Sequence, residues 1–345
     1  MFKASFEIGP DPGELLQKTL SVKNYSQVGV LMDTNTVEHC YSQFKAKLSP
    51  HATIIIPAGE EHKNLKTCEW VWSELTRHQF DRHAVLIIVG GGVLGDLGGF
   101  CAATYKRGID FLLMPTTLLA QVDASIGGKL GIDFQHLKNH IGLFSEPVST
   151  LISPDFLKTL PERELRSGFA EIIKHCLISD PEKWKMLIRK NLAEQHWTDL
   201  IKHSVEFKAS IIKNDPKEAG LRKILNFGHT IGHALESYFL DKGNRLFHGE
   251  AIAAGMIIES HISRQKHLLD EAALIEISDY IRKIFGIMEP LPAWESLNPL
   301  LLQDKKNKGN TIRMALLKGI GSAVWDISVS EEEVKKALDF YRQLH

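Results

Sequence analysis

Two histidines four residues apart are the pair in this sequence best suited to do chemistry. His229 and His233 lie in the stretch Asn-Phe-Gly-His-Thr-Ile-Gly-His. On a helix this spacing places both imidazoles on one face, a pattern typical of divalent-metal ligands and of proton-transfer groups. The alternative is that both are ordinary core or surface histidines, because the chain has 16 histidines.

A further imidazole and a carboxylate complete the candidate metal site. His248 opens a second apolar, helix-like run, and Glu171 lies among apolar residues, where an unpaired charge would be costly. Two imidazoles and one carboxylate suit Zn²⁺ or a similar divalent ion and leave coordination positions open for substrate oxygens. Spacing alone favours His229 together with His233 and does not choose the third ligand.

A glycine-rich turn is the second chemical feature. The segment 90–99 reads Gly-Gly-Gly-Val-Leu-Gly-Asp-Leu-Gly-Gly and directly follows the apolar run 84–89. A strand that leads through such a turn into a helix brings backbone N–H groups close to phosphates, so a dinucleotide is the expected ligand. The alternative is a turn that only permits tight packing of helix on strand.

The same turn formally satisfies the dinucleotide fingerprint G-x-G-x-x-G at Gly90, Gly92 and Gly95, with Asp110 at the place of the ribose-binding acid. We do not expect Asp110 to have that role. The fingerprint belongs to the first βαβ unit of a domain, whereas about eighty residues of α/β pattern precede it here.

Basic residues occur inside nearly every unusual segment. Any one of them is more often a solvated surface charge than a ligand contact. Together, in a chain with 41 basic and 42 acidic residues, they indicate a small phosphorylated or carboxylated substrate. They are Arg107, Lys129, Lys138, Lys174, Lys208, Arg222, Lys305 and Lys306.

The first half of the chain alternates short apolar runs with helical patterns. Runs that are apolar on both faces predict a mostly parallel sheet covered by helices, a Rossmann-like α/β domain over 1–153 that binds the nucleotide. The predicted strands are 28–32, 53–56, 84–89, 111–114 and 150–152, with a helix over 64–78.

The second half, 154–345, is predicted to be a mainly α-helical domain that carries the metal. One strand is expected at 314–317, and Ser330 with Glu333 forms a capping box before the last helix. The two parts are expected to share a cleft. The predicted helices are 162–178, 181–213, 229–239, 249–267 and 270–285.

Composition excludes several functional classes. A pI near 7.0 gives no electrostatic footprint for nucleic acid or a membrane surface. No apolar run reaches the roughly 18 residues of a membrane span, and the N-terminus has no secretory pattern. Four scattered cysteines favour neither a disulfide framework nor a thiolate zinc site, so a soluble cytoplasmic protein is expected.

At this level of detail the sequence resembles the 3-dehydroquinate synthase family, sugar-phosphate cyclases of the shikimate pathway, which leads to chorismate and the aromatic amino acids. The matching segments follow the family order along the chain. They are Gly90–Asp96, Pro115–Lys129, Lys138-Asn139, Thr159–Glu164, Ala170–Lys174, Gly220–Glu236, His248–Gly255 and Asp304–Lys306.

The resemblance implies a metal ion, Zn²⁺ or Co²⁺, held by Glu171, His229 and His248. This differs from the pairing that spacing favours, because it makes His233 a catalytic residue near the departing phosphate. Lys174 and Glu218 are also implied to be catalytic, Glu218 in proton transfer. Asp110 is left without a role.

The resemblance also implies binding residues for NAD⁺ and for the substrate. Those for NAD⁺ are Asp33, Asn35, Glu60, Lys63, Gly91, Gly92, Val93, Asp96, Thr116, Thr117, Lys138, Phe156 and Thr159. Those for the substrate are Arg107, Asp123, Lys129, Asn139, Lys208, Arg222, Asn226 and one of Lys305 or Lys306.

The implied activity converts 3-deoxy-D-arabino-heptulosonate 7-phosphate to 3-dehydroquinate and phosphate. It proceeds by transient oxidation of an alcohol by NAD⁺, β-elimination of phosphate, re-reduction, ring opening and an intramolecular aldol closure. This is the chemistry of a phosphorus–oxygen lyase that needs NAD and a divalent metal but causes no net redox change. A homodimer is implied as well.

Two departures from the family pattern and three other interpretations accompany this assignment. Pro216 and Leu137 stand where many relatives have Glu and Gly.

Cyclases that act on sedoheptulose 7-phosphate typically alter the positions of Lys208, Arg222 and Asn226, which are intact here and favour a substrate with a carboxylate. A metal-dependent polyol dehydrogenase would instead accumulate NADH. A non-catalytic NAD-binding homologue would neither release phosphate nor accumulate NADH.

Overall fold

The structure, a computed structural model, describes residues 5–135, 137–240, 246–302 and 312–344. The chain divides into two compact units. The first comprises Met1–Leu165 with Trp197–Ala209, and the second comprises Arg166–His196 with Ser210–His345. The division into an NAD-binding domain over 1–153 and a metal-binding domain over 154–345 stays a prediction.

A six-stranded parallel sheet forms the core of the first unit. Its strand order is β1-β8-β5-β4-β2-β3. The central strand β4 is buried at all six positions, as expected for apolar runs that are covered on both faces. The strands are β1 (Phe6–Ile8), β2 (Val28–Asp33), β3 (Ala52–Ile56), β4 (Val85–Gly90), β5 (Asp110–Pro115) and β8 (Ser149–Ile152).

Helices and one hairpin complete this unit. The hairpin, β6 (Lys129–Phe134) with β7 (Leu137–Phe144), is antiparallel and was not foreseen from the sequence. One face of β6 packs against α4, which covers the central strands. The helices are α1 (Pro12–Leu20), α2 (Thr34–His39), α3 (Leu65–Arg77) and α4 (Gly92–Thr104).

The order of the strands determines where a ligand can bind. The chain passes from β2 outward to β3 and then returns to β4 on the other side of β2. In parallel α/β sheets such a reversal opens a crevice at the carboxyl ends of the two strands. Asp33 ends β2 and Gly90 ends β4, so two of the segments singled out in the sequence meet this crevice.

The second unit is mainly helical, in agreement with the predicted fold class. A two-stranded antiparallel sheet, β9 (Ile312–Leu317) with β10 (Ala323–Val329), accompanies the helices. None of the helices in the described ranges is both long and apolar enough to cross a bilayer. The helices, two of which run across the unit boundaries, are α5 (Glu162–Ser179), α6 (Pro181–Leu187), α7 (Trp197–Asn214), α8 (His229–Leu240), α9 (His248–Gln265), α10 (Glu271–Phe285), α11 (Trp294–Leu302) and α12 (Glu331–Arg342).

The prediction of one helix over 181–213 is wrong, because α6 ends at Leu187 and α7 begins at Trp197. The buried Gln195 side chain donates to the carbonyl of Leu187 at 3.1 Å, which satisfies an acceptor at the end of α6. Asn191 then starts a 3₁₀ turn whose Glu194 accepts from the Asn191 N–H at 2.8 Å. These local hydrogen bonds compete with a continuous helix.

Close contact between α8 and α9 positions the histidines. A Cβ built on Gly255 of α9 would lie 2.0 Å from the carbonyl oxygen of Gly228, and one on Gly249 would lie 2.1 Å from the carbonyl oxygen of Ser167. Only glycine permits these approaches of backbone to backbone. The start of α8 therefore lies against α9 at Gly255, and the first turn of α9 lies against α5 at Ser167.

Candidate functional site

Three ligand groups from three helices of the second unit converge at one point. Glu171 comes from the middle of α5, His229 is the first residue of α8, and His248 is the first residue of α9. Their ligand atoms all lie within 4.8 Å of one another. His233 is not a member of this group.

The distances fit a shared cation better than direct contacts. The Nε2 atoms of His229 and His248 lie 3.5 and 3.7 Å from the same oxygen, Oε1 of Glu171. These separations exceed a normal hydrogen bond of about 2.7–3.2 Å. Ligand atoms around tetrahedral zinc, each about 2.0–2.2 Å from the ion, are spaced about 3.4 Å apart. The residues present therefore fit a divalent metal ion.

Neighbouring charges shift the pKa values of the groups in this pocket. Burial raises the pKa of the Glu171 carboxyl, but the Lys174 ammonium and the imidazoles lower it by more, so the pKa lies well below its ordinary value. Burial lowers the pKa of His248, whereas the carboxylates of Glu171 and Glu236 raise it to about 9. A metal ion bound at this imidazole would compete with its proton.

A second carboxylate supports His248 from behind. The Nδ1 atom of His248 lies 3.1 Å from Oε2 of Glu236 on α8, which leaves the Nε2 atom of His248 directed toward Glu171. A carboxylate on the far nitrogen of a metal-binding imidazole fixes the ring orientation and raises its basicity. Glu236 was not among the sequence-based site residues, because its pairing depends on contact between two helices.

His233 and Lys174 flank the three ligand groups. The ring of His233 is centred 5.1 Å from that of His229 and 6.0 Å from that of His248, and its side chain is exposed. Lys174, one turn after Glu171 on α5, is 1% exposed and forms an ion pair with the Glu171 carboxylate. An accessible imidazole and a buried ammonium thus lie next to the candidate metal site.

A compact loop in the second unit presents three more of the implied residues. Glu218 has a left-handed backbone with φ of 58°, and its Oε1 accepts from the Asn226 side chain at 3.0 Å. Arg222 is 5% exposed and donates to the carbonyl of Pro216 at 3.0 Å. The carbonyl is the only group of Pro216 in this contact, so the missing N–H of proline does not affect it.

Asp215 organises this loop and was missed by sequence reasoning. Its carboxylate accepts from the backbone N–H groups of Ala219, Gly220 and Arg222 at 2.9, 2.7 and 3.0 Å. These bonds, the one from Gly220 foremost, lower the pKa of Asp215 below its ordinary value. One side chain therefore holds the turn that presents Glu218 and Arg222.

The glycine turn of the first unit fits an anionic ligand. Helix α4 begins at Gly92 with Gly91 before it, and no side chain caps this end. A Cβ on Gly95 would meet nothing within 4 Å, whereas one on Gly98 would lie 2.8 Å from the Leu31 side chain. Gly95 thus leaves open space near the N-terminus of α4, whose first N–H groups have no partner within the helix, whereas Gly98 allows close packing.

The remaining NAD-assigned residues lie around the carboxyl ends of the strands. Asp33 ends β2 and accepts from the Thr36 N–H at 2.8 Å, with the exposed Asn35 beside it in α2. Thr116 and Thr117 follow β5, and the Thr117 hydroxyl accepts from the Ala120 N–H. Val93 lies in the first turn of α4, while Phe156 and Thr159 belong to the 3₁₀ turn after β8.

Lys63 joins residues assigned to two different ligands. It is 4% exposed, and its ammonium donates to Asp96 at 2.6 Å and to the Asn139 side chain at 2.5 Å. Burial raises the pKa of Asp96 although Lys63 opposes the shift. Glu60 and Lys138 form a looser pair at 3.9 Å.

Two substrate-assigned lysines also lie in the first unit. Lys208 of α7 is 7% exposed and donates to the Asp123 carboxylate at 2.5 Å and to its carbonyl at 2.8 Å. Lys129 is exposed and lines the same cleft as Gly91, Gly92 and Asp96. Lys305 and Lys306 lie outside the described residues.

Arg107 and Asp110 lie at the opposite end of the strands, where β5 begins. Asp110 starts β5, and its carboxylate accepts from Lys23 at 2.7 Å and from Tyr25 at 3.2 Å, so it has a structural partnership there. Arg107, with φ of 68°, precedes it in an exposed turn. Six strand residues, about 17 Å, separate this end of the strands from the glycine turn.

Comparison with known proteins assigns a family to this geometry. The model of the 3-dehydroquinate synthase N-terminal domain matches residues 53–167, and that of the C-terminal domain matches residues 168–307. The chain belongs to the 3-dehydroquinate synthase family. A 3-dehydroquinate synthase from Parabacteroides distasonis is 38% identical over 334 residues, which cover 95% of each chain.

Solved structures similar to this chain include two synthases with NAD⁺ and a divalent metal ion bound. ValA, a 2-epi-5-epi-valiolone synthase from Streptomyces hygroscopicus with NAD⁺ and Zn²⁺ bound, superimposes with a TM-score of 0.88 at 27% identity, covering 100% of this chain and 98% of its own. A 2-deoxy-scyllo-inosose synthase complexed with carbaglucose-6-phosphate, NAD⁺ and Co²⁺ gives 0.83 at 25% identity, covering 96% and 95%. The expected cofactors, NAD and one divalent metal ion, agree with these relatives and with the convergence of Glu171, His229 and His248.

Proposed function

We propose that this chain is a lyase that converts 3-deoxy-D-arabino-heptulosonate 7-phosphate to 3-dehydroquinate and phosphate. The convergence of Glu171, His229 and His248 in a chain that matches both family domains is the observation that carries the proposal. NAD⁺ would supply reversible hydride transfer, and the divalent ion would polarise a hydroxyl of the substrate.

We assign the metal to Glu171, His229 and His248, with Glu236 orienting His248. Lys174 balances the buried charge of Glu171 and so prevents the site from carrying an uncompensated carboxylate. His233 is exposed and adjacent to the ligand histidines, so it can give a proton to the departing phosphate. Glu218, held by Asn226, is the second proton-transfer group.

We assign the dinucleotide to the crevice at the carboxyl ends of β2 and β4. The open N-terminus of α4 would receive its pyrophosphate, and Gly95 leaves the room that a phosphate needs. The residues around this crevice are those that the family resemblance assigns to NAD⁺. Lys63 fixes Asp96 on one side and Asn139 on the other, so it arranges cofactor and substrate residues together.

The substrate is proposed to carry both a phosphate and a carboxylate. Lys208 and Arg222 are nearly fully buried, and Arg222 has further N–H donors in a fork that matches a carboxylate. Sedoheptulose 7-phosphate lacks the carboxylate that the Arg222 guanidinium would bind, and this difference favours the heptulosonate.

A homodimer is part of the proposal. Arg107 lies at the end of the strands that is remote from the glycine turn, so it would contribute to the substrate site of a second copy of the chain. Mixing Arg107→Ala with Lys129→Ala chains should then regenerate up to about a quarter of wild-type sites by subunit exchange. No regained activity in a verified mixed dimer would remove this role from Arg107.

The direct test is phosphate release from the heptulosonate phosphate in the presence of NAD⁺ and Zn²⁺. We expect stoichiometric phosphate and 3-dehydroquinate without accumulated NADH, and much slower release from sedoheptulose 7-phosphate. Net NADH formation from simple polyols would instead indicate a dehydrogenase. NAD⁺ binding without any turnover would indicate a non-catalytic homologue.

A further inference from the structure

Helix α8, which carries His229 and His233, begins without a capping residue of its own. Gly228 precedes it, and its carbonyl accepts from the Gly232 N–H at 3.1 Å, which makes Gly228 the N-cap position. Helices usually satisfy their first N–H groups with a polar side chain at the N-cap and an acidic or amide side chain three residues later. Here those positions are Gly228 and Ile231, and neither has a polar side chain.

A single carboxylate from α9 takes both acceptor roles. Oε2 of Glu259 accepts from the Gly228 N–H at 2.6 Å, and Oε1 accepts from the Ile231 N–H at 3.0 Å. These are the two donors that a local capping box would satisfy. Glu259 is 0% exposed, so its charge depends on such partners.

The packing of the helices explains why the cap comes from another helix. Gly228 has φ of 78°, and a Cβ there would lie 2.6 Å from the Met256 side chain. Gly255 lies one turn before Glu259 on the same face of α9, and it gives the room for Gly228 to approach. The contact that excludes a side chain at Gly228 therefore brings the Glu259 carboxylate to the end of α8.

We propose that Glu259 is a positioning residue for the metal site. By capping α8 from α9, it fixes the helix end where His229 begins against the helix that carries His248, and so sets the spacing of two ligands. The inference rests on the proposed metal-binding role of His229 and His248.

The test separates this role from a general contribution to folding. Glu259→Gln keeps the size of the side chain, but its NH₂ group faces one of the two backbone donors and cannot accept from it. We expect folded Glu259→Gln to bind Zn²⁺ at least about tenfold more weakly in competition with a chelator. Its Co²⁺ absorption spectrum should change, and its NAD⁺ affinity should stay that of the wild type.

Ser260→Ala is the matched control, since Ser260 is the next residue of α9 and is equally buried. It should retain wild-type Zn²⁺ affinity. Equal Zn²⁺ affinity in wild type and folded Glu259→Gln would overturn the proposal. Failure of the wild type itself to bind Zn²⁺ or Co²⁺ would instead refute the metal-binding function on which the proposal rests.

A measurement on the unmodified protein covers the case in which Glu259→Gln does not fold. The amide protons of Gly228 and Ile231 should exchange slowly with solvent in the metal-free wild type, because Glu259 holds them before any metal binds. Rapid exchange at both amides in the folded, metal-free protein would exclude a cap that organises the site in advance.

Discussion

The Nδ1 atom of His248 and the Oε2 atom of Glu236 lie 3.1 Å apart, across the contact between α9 and α8. The pairing commits the other nitrogen of His248 to the side on which Glu171 lies. A carboxylate in this place commonly raises the metal affinity of the imidazole that it orients. Glu236 therefore links helix packing to the chemistry of the candidate metal site.

Replacing Glu236 by glutamine should lower Zn²⁺ affinity by about 10- to 100-fold, because an amide polarises the imidazole less than a carboxylate does. Competition with a chromophoric chelator measures the change. Ser237→Ala, an exposed neighbour on the same helix, should bind Zn²⁺ as the wild type does. Unchanged affinity in Glu236→Gln would mean that His248 is oriented by other contacts.

The two histidines of α8 should respond differently to removal. His229→Ala should lose the metal, since its Nε2 is one of three converging ligand atoms. His233→Ala should keep the metal and lose turnover by about 10²–10⁴-fold, the usual contribution of a general acid or base. Metal content and turnover of the purified variants test these two roles. Loss of metal from His233→Ala would instead support His229 and His233 as the pair of metal ligands.

Local patterns were sufficient for five of the six strands of the parallel sheet and for the glycine turn, because apolar runs and glycine clusters reflect nearest neighbours along the chain. They were not sufficient to predict the convergence of Glu171, His229 and His248. Spacing pairs His229 with His233, whereas His248 reaches the site only because Gly228 and Gly255 allow two helices to touch. That contact is between residues distant in sequence, and periodicity carries no information about it.

Other differences have similar causes. The split between α6 and α7 depends on the Gln195 side chain folding back on Leu187, a contact that amphipathic spacing does not reveal. Glu259 did leave a trace in the sequence, as a lone acidic residue in the apolar run 251–263. Its two backbone partners belong to another helix and could not be read from that run.

Two glycines of α4 allow ligand binding and packing to be separated. Gly95→Ala should keep the protein as stable as the wild type or slightly more so, because its Cβ meets no protein atom and alanine favours a helix by up to about 1 kcal/mol. The same methyl group intrudes on the open crevice, so NAD⁺ affinity should fall. Calorimetric titration with NAD⁺ measures it.

Gly98→Ala is the opposite case. Its Cβ would lie 2.8 Å from Leu31 and 2.9 Å from Ile88, so the free energy of unfolding should fall by about 1–3 kcal/mol, as in other overpacked cores. NAD⁺ affinity of the folded fraction should change little. If Gly95→Ala binds NAD⁺ normally, the turn serves packing alone.

Asp215 should matter for turnover without mattering for metal or NAD⁺ binding. Asp215→Asn keeps one acceptor oxygen but turns an NH₂ group toward backbone donors, so the loop that presents Glu218 and Arg222 loosens. We expect a higher KM for the heptulosonate and a lower kcat, with Zn²⁺ and NAD⁺ affinities unchanged. Lys217→Ala, an exposed substitution in the same loop, is the control.

The same carboxylate gives this loop a dependence on pH. Backbone N–H donors lower the pKa of Asp215 in the folded chain. The stabilisation of the fold by the ionised carboxylate is therefore complete above the pKa of an unfolded Asp, about 3.9, and is lost as the pH falls through the lower pKa of the folded chain. Relative to the intrinsic exchange rate at each pH, the protection of the amides in 217–222 should therefore fall on acidification below about pH 4 in the wild type. In Asp215→Asn exchange should already be fast at neutral pH, and an Asp215→Asn loop as protected as the wild type would show that other contacts hold Glu218 and Arg222 in place.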